Sequence, residues 1–317
     1  VTVKDNFKTQ AVIPHVGLLL DTSQSFALYL PKKYNDTAHL PVIIFFDPHG
    51  DGTVPLTLYS GLAEKYGYIL IGSNSSKNLV SFDDTKVFAT NLINEAMNRL
   101  HANSSKISLC GFSGGAKVAL LSGSENPAIK TIIYTGSKVD ITPNHPVTLL
   151  GFAGIKDMNY TDLVTFDWSL NSTPIRHYME EWKGKHEFPT ADVFKDAFTL
   201  LESDTIYDYN KKLPSIARDK ILEEQSIKQD YVSDFYHKDI SWWRNEIDRL
   251  NTRKANDMMY ERLLGFISLA CYSISNSAMR DHNLEIAGKI LAIYKMADPD
   301  NKDCAELYKQ YYQMGGR

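Results

Sequence analysis

A serine sits among three glycines in the stretch ISLCGFSGGAKVAL, residues 107 to 120. Gly111, Ser113 and Gly115 fit the pattern G-x-S-x-G. An apolar, strand-like run precedes the serine, and a helix-like run follows it. A nucleophile needs that context: its backbone is strained into a tight strand-to-helix turn, and its hydroxyl stands proud of the sheet. Side chains two residues before and two after would strike the neighbouring strand and helix, so glycine is required there. The N-terminus of the following helix puts positive charge and unsatisfied N–H groups beside a developing oxyanion.

Serine alone is a poor nucleophile. It needs a base, and the base needs an acid to orient it. On this kind of turn the chain order is serine, acid, histidine. GFAGIKDMNY places Asp157 just past one apolar run, and WKGKHEFP places His186 just past another. Both fall at the carboxyl ends of expected strands, where open α/β sheets gather their functional residues. Ser113 falls at the same edge. The rivals are Asp140 as acid from the preceding loop, Asp162 on an expected helix, His177 inside an expected strand, and His145 near a strand end. His49 belongs to FFDPHGDG, residues 45 to 52, which follows an early buried run. A tetrahedral intermediate needs two N–H donors. Gly114 is the expected first donor, and Asp51, Gly50 or Gly52 the second. The Asp51 carboxylate is expected to face away from the developing charge.

The elements that must carry these residues are legible in the hydropathy pattern. SFALYL (25–30), PVIIFFD (41–47), YILIGS (68–73), KISLCG (106–111), KTIIYTG (130–136), PVTLLGFAG (146–154) and PIRHYMEEW (174–182) read as strands. Amphipathic runs over 54–67, 85–102, 114–123 and 160–170 read as helices between them. Strand and helix in regular alternation predict an α/β fold, a mostly parallel sheet with helices on both faces. Beyond about Pro189 every run is helical in propensity: 194–209, 217–236, 242–274 and 284–312. The last of these breaks at ADPDN and has the look of one tetratricopeptide hairpin; a generic helical bundle is the other reading. The expected division is an α/β domain over residues 1–200 and an all-helical region over 201–317.

These residues resemble the α/β-hydrolase superfamily. The likeness is to polyhydroxybutyrate-depolymerase and feruloyl-esterase types and to dienelactone-hydrolase-like serine esterases, over about residues 20 to 200. FALYLPKKY looks like the family's second strand, HGDG like its oxyanion loop, GFSGG like its nucleophile elbow and GKHEFP like its catalytic-histidine loop. The resemblance implies a carboxylic-ester hydrolase with Ser113 as nucleophile, His186 as base and Asp157 as acid. It departs at Lys185, where relatives usually have glycine, and at Asp51 within the oxyanion loop. It says nothing about the helical tail. The same elbow would serve a serine peptidase. A third reading makes the fold a non-catalytic binding scaffold with the tail as its interaction module. The distance from His186 to Ser113 separates enzyme from scaffold.

Composition narrows the partners. The 317 residues carry a net charge of −4, with 43% hydrophobic and 23% charged residues. Nothing in that balance calls for nucleic acid, and no apolar run approaches a membrane span. Three cysteines, Cys110, Cys271 and Cys304, make no disulfide framework and no zinc spacing. Cys110 reads as a small buried hydrophobe. No cofactor and no metal is expected. Only ten residues, Ser137 to Pro146, join two of the expected strands, which leaves no room for an inserted lid. An open site suits a small-molecule or polymer-attached ester, and the C-terminal helices could engage a protein partner. The chain begins at Val1, and with the likeness to secreted esterases this gives an expectation of a periplasmic or secreted protein.

Overall fold

A computed structural model describes residues 6–35, 37–203 and 216–316. The expected helical stretch 194–209 therefore lies partly outside the described residues. By compactness the chain divides into two units: Val1–Gly154 with Asp162–Leu213, and Ile155–Thr161 with Pro214–Arg317. The short segment 155–161 thus groups with the helical part, which a boundary drawn at residue 200 does not anticipate.

Among the described residues, the first unit is built on eight strands. They are β1 (Val12–Gly17), β2 (Ser25–Tyr29), β3 (Val42–Phe46), β4 (Ile69–Ser73), β5 (Ile107–Phe112), β6 (Ile129–Thr135), β7 (Thr148–Gly154) and β8 (Arg176–Trp182). Their order across the sheet is β1-β2-β4-β3-β5-β6-β7-β8. The first two are antiparallel to their neighbours, and β4 through β8 run parallel. Strands β3, β4, β5 and β7 are buried along their whole length, as continuous apolar runs require. Strand β1 escaped the sequence reading because VIPHVG carries a proline and an exposed histidine. An edge strand tolerates both, and its register shifts between Ile13 and Val16.

Successive side chains of a strand point to opposite faces. One face is covered by α1 (Thr53–Tyr66) and α5 (Ala191–Glu202), with Ile43, Phe45, Leu70, Cys110, Ile133 and Leu150 meeting Tyr59, Ala63, Phe194 and Phe198. Phe194 stacks on Tyr59 at 4.0 Å between ring centroids, and the Tyr59 hydroxyl donates to the Pro189 carbonyl at 2.7 Å. That hydrogen bond ties the segment after His186 to α1. Helices α2 (Phe82–Asn98) and α3 (Gly114–Glu125) bury Ala89, Leu92, Ile93, Ala116, Ala119 and Leu120. Helix α4 (Tyr160–Leu170) links β7 to β8. No helix or strand forms between β6 and β7.

The second unit contains α6 (Arg218–His237), α7 (Ile240–Arg253), α8 (Met258–Arg280), α9 (Leu284–Ala297) and α10 (Lys302–Gln313). Its core gathers Phe235, Trp243, Ile247, Leu250, Leu263, Ile267, Cys271, Ile290 and Leu291. The helix breaks follow from local chemistry. Asp239, Asp257, Asn283 and Asn301 each cap the helix that follows by accepting from its first N–H groups. Residues 242–274, a single helical run by propensity, are split at 254–257 by the Asp257 cap. Among the described residues no helix is long and apolar enough to cross a membrane.

Candidate active site

Ser113 closes β5 and opens α3 with φ 53° and ψ −119°, a conformation that L residues rarely adopt. Its own N–H donates to the Thr135 carbonyl of β6 at 2.9 Å, and its carbonyl accepts from Ala116 at 3.0 Å. The glycines have the steric role that the pattern requires. A Cβ on Gly111 would lie 2.0 Å from the Gly115 carbonyl oxygen, and a Cβ on Gly115 would lie 2.0 Å from that of Phe46. Both obstacles are backbone and cannot rotate away.

His186 stands in the loop after β8, with Nε2 2.9 Å from Ser113 Oγ. That is hydrogen-bond reach, the separation expected of nucleophile and base. The loop is shaped locally: Gly184 N–H donates to Trp182 O at 2.9 Å, and Glu187 N–H to Lys185 O at 3.0 Å. The imidazole packs against Phe112 at 4.7 Å between ring centroids, and Phe112 packs against Phe188 at 5.1 Å. Lys185, where the resemblance implies glycine, is exposed. Gly136, just past β6, also belongs here. Its φ is +70°, and a Cβ on it would meet the Phe112 ring at 2.6 Å and His186 Cε1 at 3.2 Å. Nothing in its local sequence singles it out.

This strand order with such a turn after the central β5 decides the architecture. The chain has the α/β-hydrolase fold. No family model and no curated protein matches it. Among solved structures it is similar to a hyperthermophilic esterase from the archaeon Pyrobaculum calidifontis, at 12% identity over 62% of this chain and 85% of that one, TM-score 0.48. It is also similar to Thermogutta terrifontis esterase 2 phosphonylated by sarin, at 11% identity over 62% and 95%, TM-score 0.48. A third is an S-formylglutathione hydrolase from Agrobacterium tumefaciens, at 15% identity over 56% and 88%, TM-score 0.46. The strand order and the elbow, not these likenesses, decide the fold.

The loop after β3 departs from expectation. Gly50 N–H donates to Asp47 O at 3.1 Å, Asp51 N–H to Asp47 Oδ1 at 3.3 Å, and Gly52 N–H to Asn74 Oδ1 at 3.0 Å. All three candidate second donors, Asp51 and Gly50 first among them, are thus turned to acceptors in the loop or the next strand's end. The physical cause is Asp47, a buried carboxylate that gathers N–H groups as the loop folds over it. Burial pushes the Asp47 carboxyl above its ordinary value, and the His49 and Asp51 N–H groups pull it back in part. The Asp51 carboxylate accepts from Thr53 N–H at 3.0 Å at the start of α1.

A different side chain adjoins the elbow. A Cβ on Gly114 would lie 2.0 Å from Asn78 Oδ1 and 3.8 Å from its Nδ2. Asn78 is held by its own N–H, which donates to Pro48 O at 2.8 Å. The sequence reading missed it, since only tertiary packing brings 78 and 114 together. Asp47, His49, Val54, Leu58, Phe112, His186 and Phe188 line a cleft of about 550 Å³.

The rivals are placed elsewhere. Asp140 is paired with Lys138 at 2.8 Å and its side chain is 84% exposed. His177 sits 3.1 Å from Ile175 O through Nδ1, and His145 sits 3.1 Å from Ile129 O through Nε2. Asp162 lies in the first turn of α4. Asp157 is 1% exposed; its Oδ1 accepts from Asn159 N–H at 2.8 Å and its carbonyl from Tyr160 N–H at 2.9 Å. It lies in the segment 155–161 that groups with the second unit.

Proposed function

We propose that the chain is a serine hydrolase that cleaves a carboxylic ester through an acyl-enzyme. One observation carries it: Ser113, on a strained elbow, has its Oγ 2.9 Å from His186 Nε2. In this reading His186 takes the Oγ proton as Ser113 attacks the ester carbonyl, then gives it to the departing alcohol. Water, deprotonated by the same imidazole, attacks the acyl carbon, releases the acid and restores Ser113. Asp157, three residues past the end of β7 and between Ser113 and His186 in chain order, is the acid that orients the imidazole. The cleft's rim of Val54 and Leu58, 39% and 43% exposed, favours an apolar or aryl group on the ester. Export from the cytoplasm remains part of the proposal.

Gly114 N–H supplies the first oxyanion contact. As the first residue of α3 its N–H has no acceptor within the helix. The Asn78 carboxamide supplies the second, in place of the engaged N–H groups of residues 50–52. A half-turn about its last bond exchanges oxygen for nitrogen beside Gly114, and the two ends of a carboxamide are alike in shape. Asn78→Ala is expected to lower kcat by about 10²-fold with KM little changed, as loss of one oxyanion donor does. Steady-state kinetics on p-nitrophenyl acetate check it; an unchanged kcat removes Asn78 from the hole.

A fluorophosphonate probe tests the whole reading. The expected result is one covalent adduct per chain, mapped by peptide mass to Ser113, and none in Ser113→Ala. A folded chain that takes up no probe, or takes it elsewhere, refutes the proposal.

A further inference from the structure

Among the described residues of α6 to α10, three charged side chains are buried, and the chemistry proposed above uses none of them. Glu224 is 0% exposed, Arg262 4% and Lys228 6%. Arg262 donates to Glu224 Oε2 from Nε at 2.9 Å and from Nη2 at 2.6 Å. Lys228 Nζ lies 2.9 Å from Glu224 Oε1. One carboxylate thus faces two cations, and the excess positive charge must be solvated by something else.

That something is the segment 155–161. Arg262 Nη1 donates to the Ile155 carbonyl at 2.8 Å. Lys228 Nζ donates to the Met158 carbonyl at 2.5 Å and to Thr161 Oγ1 at 3.1 Å. The Arg262 guanidinium stands 5.1 Å from the centre of the Tyr160 ring, and Lys156 pairs with Glu261 at 3.1 Å. Gly265 on α8 leaves room for Met158, whose Cβ would be 3.3 Å from a Cβ there. The two clamped carbonyls, 155 and 158, flank Asp157 on either side.

Burying such a cluster costs much of what its attractions return, so net stability is a weak reason for it. Fixed geometry is what it does supply: directional, charge-assisted hydrogen bonds to two carbonyls leave the backbone around residue 157 little freedom. We infer that the helical unit positions the catalytic acid, with Glu224, Lys228 and Arg262 as positioning residues that hold the Asp157 segment. The inference rests on the reading of Asp157 as the acid. It gives the tail a part in catalysis that a detachable interaction module would lack.

The test uses the full chain, p-nitrophenyl acetate, and the variants Asp157→Asn, Lys228→Met and their combination. Lys228→Met keeps the aliphatic stem and removes the donors. Asp157→Asn is expected to lower kcat by about 10³-fold or more with KM nearly unchanged. Lys228→Met is expected to lower kcat by at least about 10-fold, also at nearly constant KM, since small misplacements of a catalytic group are costly. In the Asp157→Asn background Lys228→Met should have no further effect. A damaging Asp157→Asn beside a harmless Lys228→Met, or losses that multiply, overturns the inference alone. A harmless Asp157→Asn overturns the assignment of the acid and the inference with it. Should Lys228→Met fail to fold by circular dichroism, Thr161→Val serves, since it removes only a hydroxyl from the cluster. Its expected loss is several-fold in kcat, absent in the Asp157→Asn background; an unchanged kcat, or a loss that persists there, overturns the inference.

Discussion

A chain carrying Ser113→Ala is expected to hydrolyse p-nitrophenyl acetate about 10⁶-fold more slowly than the native chain, and one carrying His186→Ala almost as slowly. The double variant should be no slower than Ser113→Ala. The reason is that, in the proposed mechanism, the two side chains act as one device. The hydroxyl attacks only while the imidazole 2.9 Å away accepts its proton, so removing either group removes the same step. Independent groups would multiply their losses instead. The residual rate should reflect the Gly114 and Asn78 oxyanion contacts and binding alone. His177→Ala and His145→Ala are the controls. Their ring nitrogens face the carbonyls of Ile175 and Ile129, so neither should change kcat by more than about 2-fold. Substantial activity in Ser113→Ala, or a double variant much slower than both singles, would show that the elbow serine is not the nucleophile.

How much of this could be read in the sequence differs from residue to residue. The elbow was legible because its demands are local: Gly111 and Gly115 answer to backbone atoms of the next turn and the next strand, and the spacing alone encodes them. His186 was legible because the end of an expected strand, β8, announces where the carboxyl edge of the sheet lies. The loop at 47–52 was legible as a turn, but not the direction of its N–H groups. That direction depends on Asp47 being buried, and a carboxylate in a polar loop gives no sign of burial. Asn78 was illegible since its neighbour is 36 residues away in sequence and no periodicity links them. Glu224 and Lys228 stand one turn apart on α6, the arrangement of countless solvated surface pairs. What makes them different is Arg262, arriving from α8 with a second positive charge, and only the packed helices bring it there. Strand β1 failed to announce itself for the opposite reason: as an edge it has few apolar demands to meet.

Gly115→Ala is expected to be strongly destabilising for the addition of a single methyl group. The new Cβ would stand 2.0 Å from the Phe46 carbonyl oxygen and 2.6 Å from its carbon, where real Cβ atoms are not found. Phe46 is fully buried and ends β3, which pairs with β4 on one side and β5 on the other, so the strand cannot yield without disturbing both. Overpacking of this kind costs about 3 kcal/mol, which in a domain of this size lowers Tm by roughly 6–12 °C. Gly61→Ala is the matched control. It lies in α1, where an added methyl would find nothing within 4 Å, and alanine is the better helix former. It should hold or raise Tm, by up to about 1 kcal/mol of added stability. Thermal unfolding followed by circular dichroism measures both. The consequence for chemistry follows from connectivity: Phe46 leads directly into Asp47, so a displaced β3 carries the Asp47 loop with it. The Gly115→Ala chain that remains folded should therefore also label more slowly with the fluorophosphonate. A Tm within about 1 °C of native would mean that β3 gives way freely, and the close approach of α3 to β3 would then not be what demands glycine at this position.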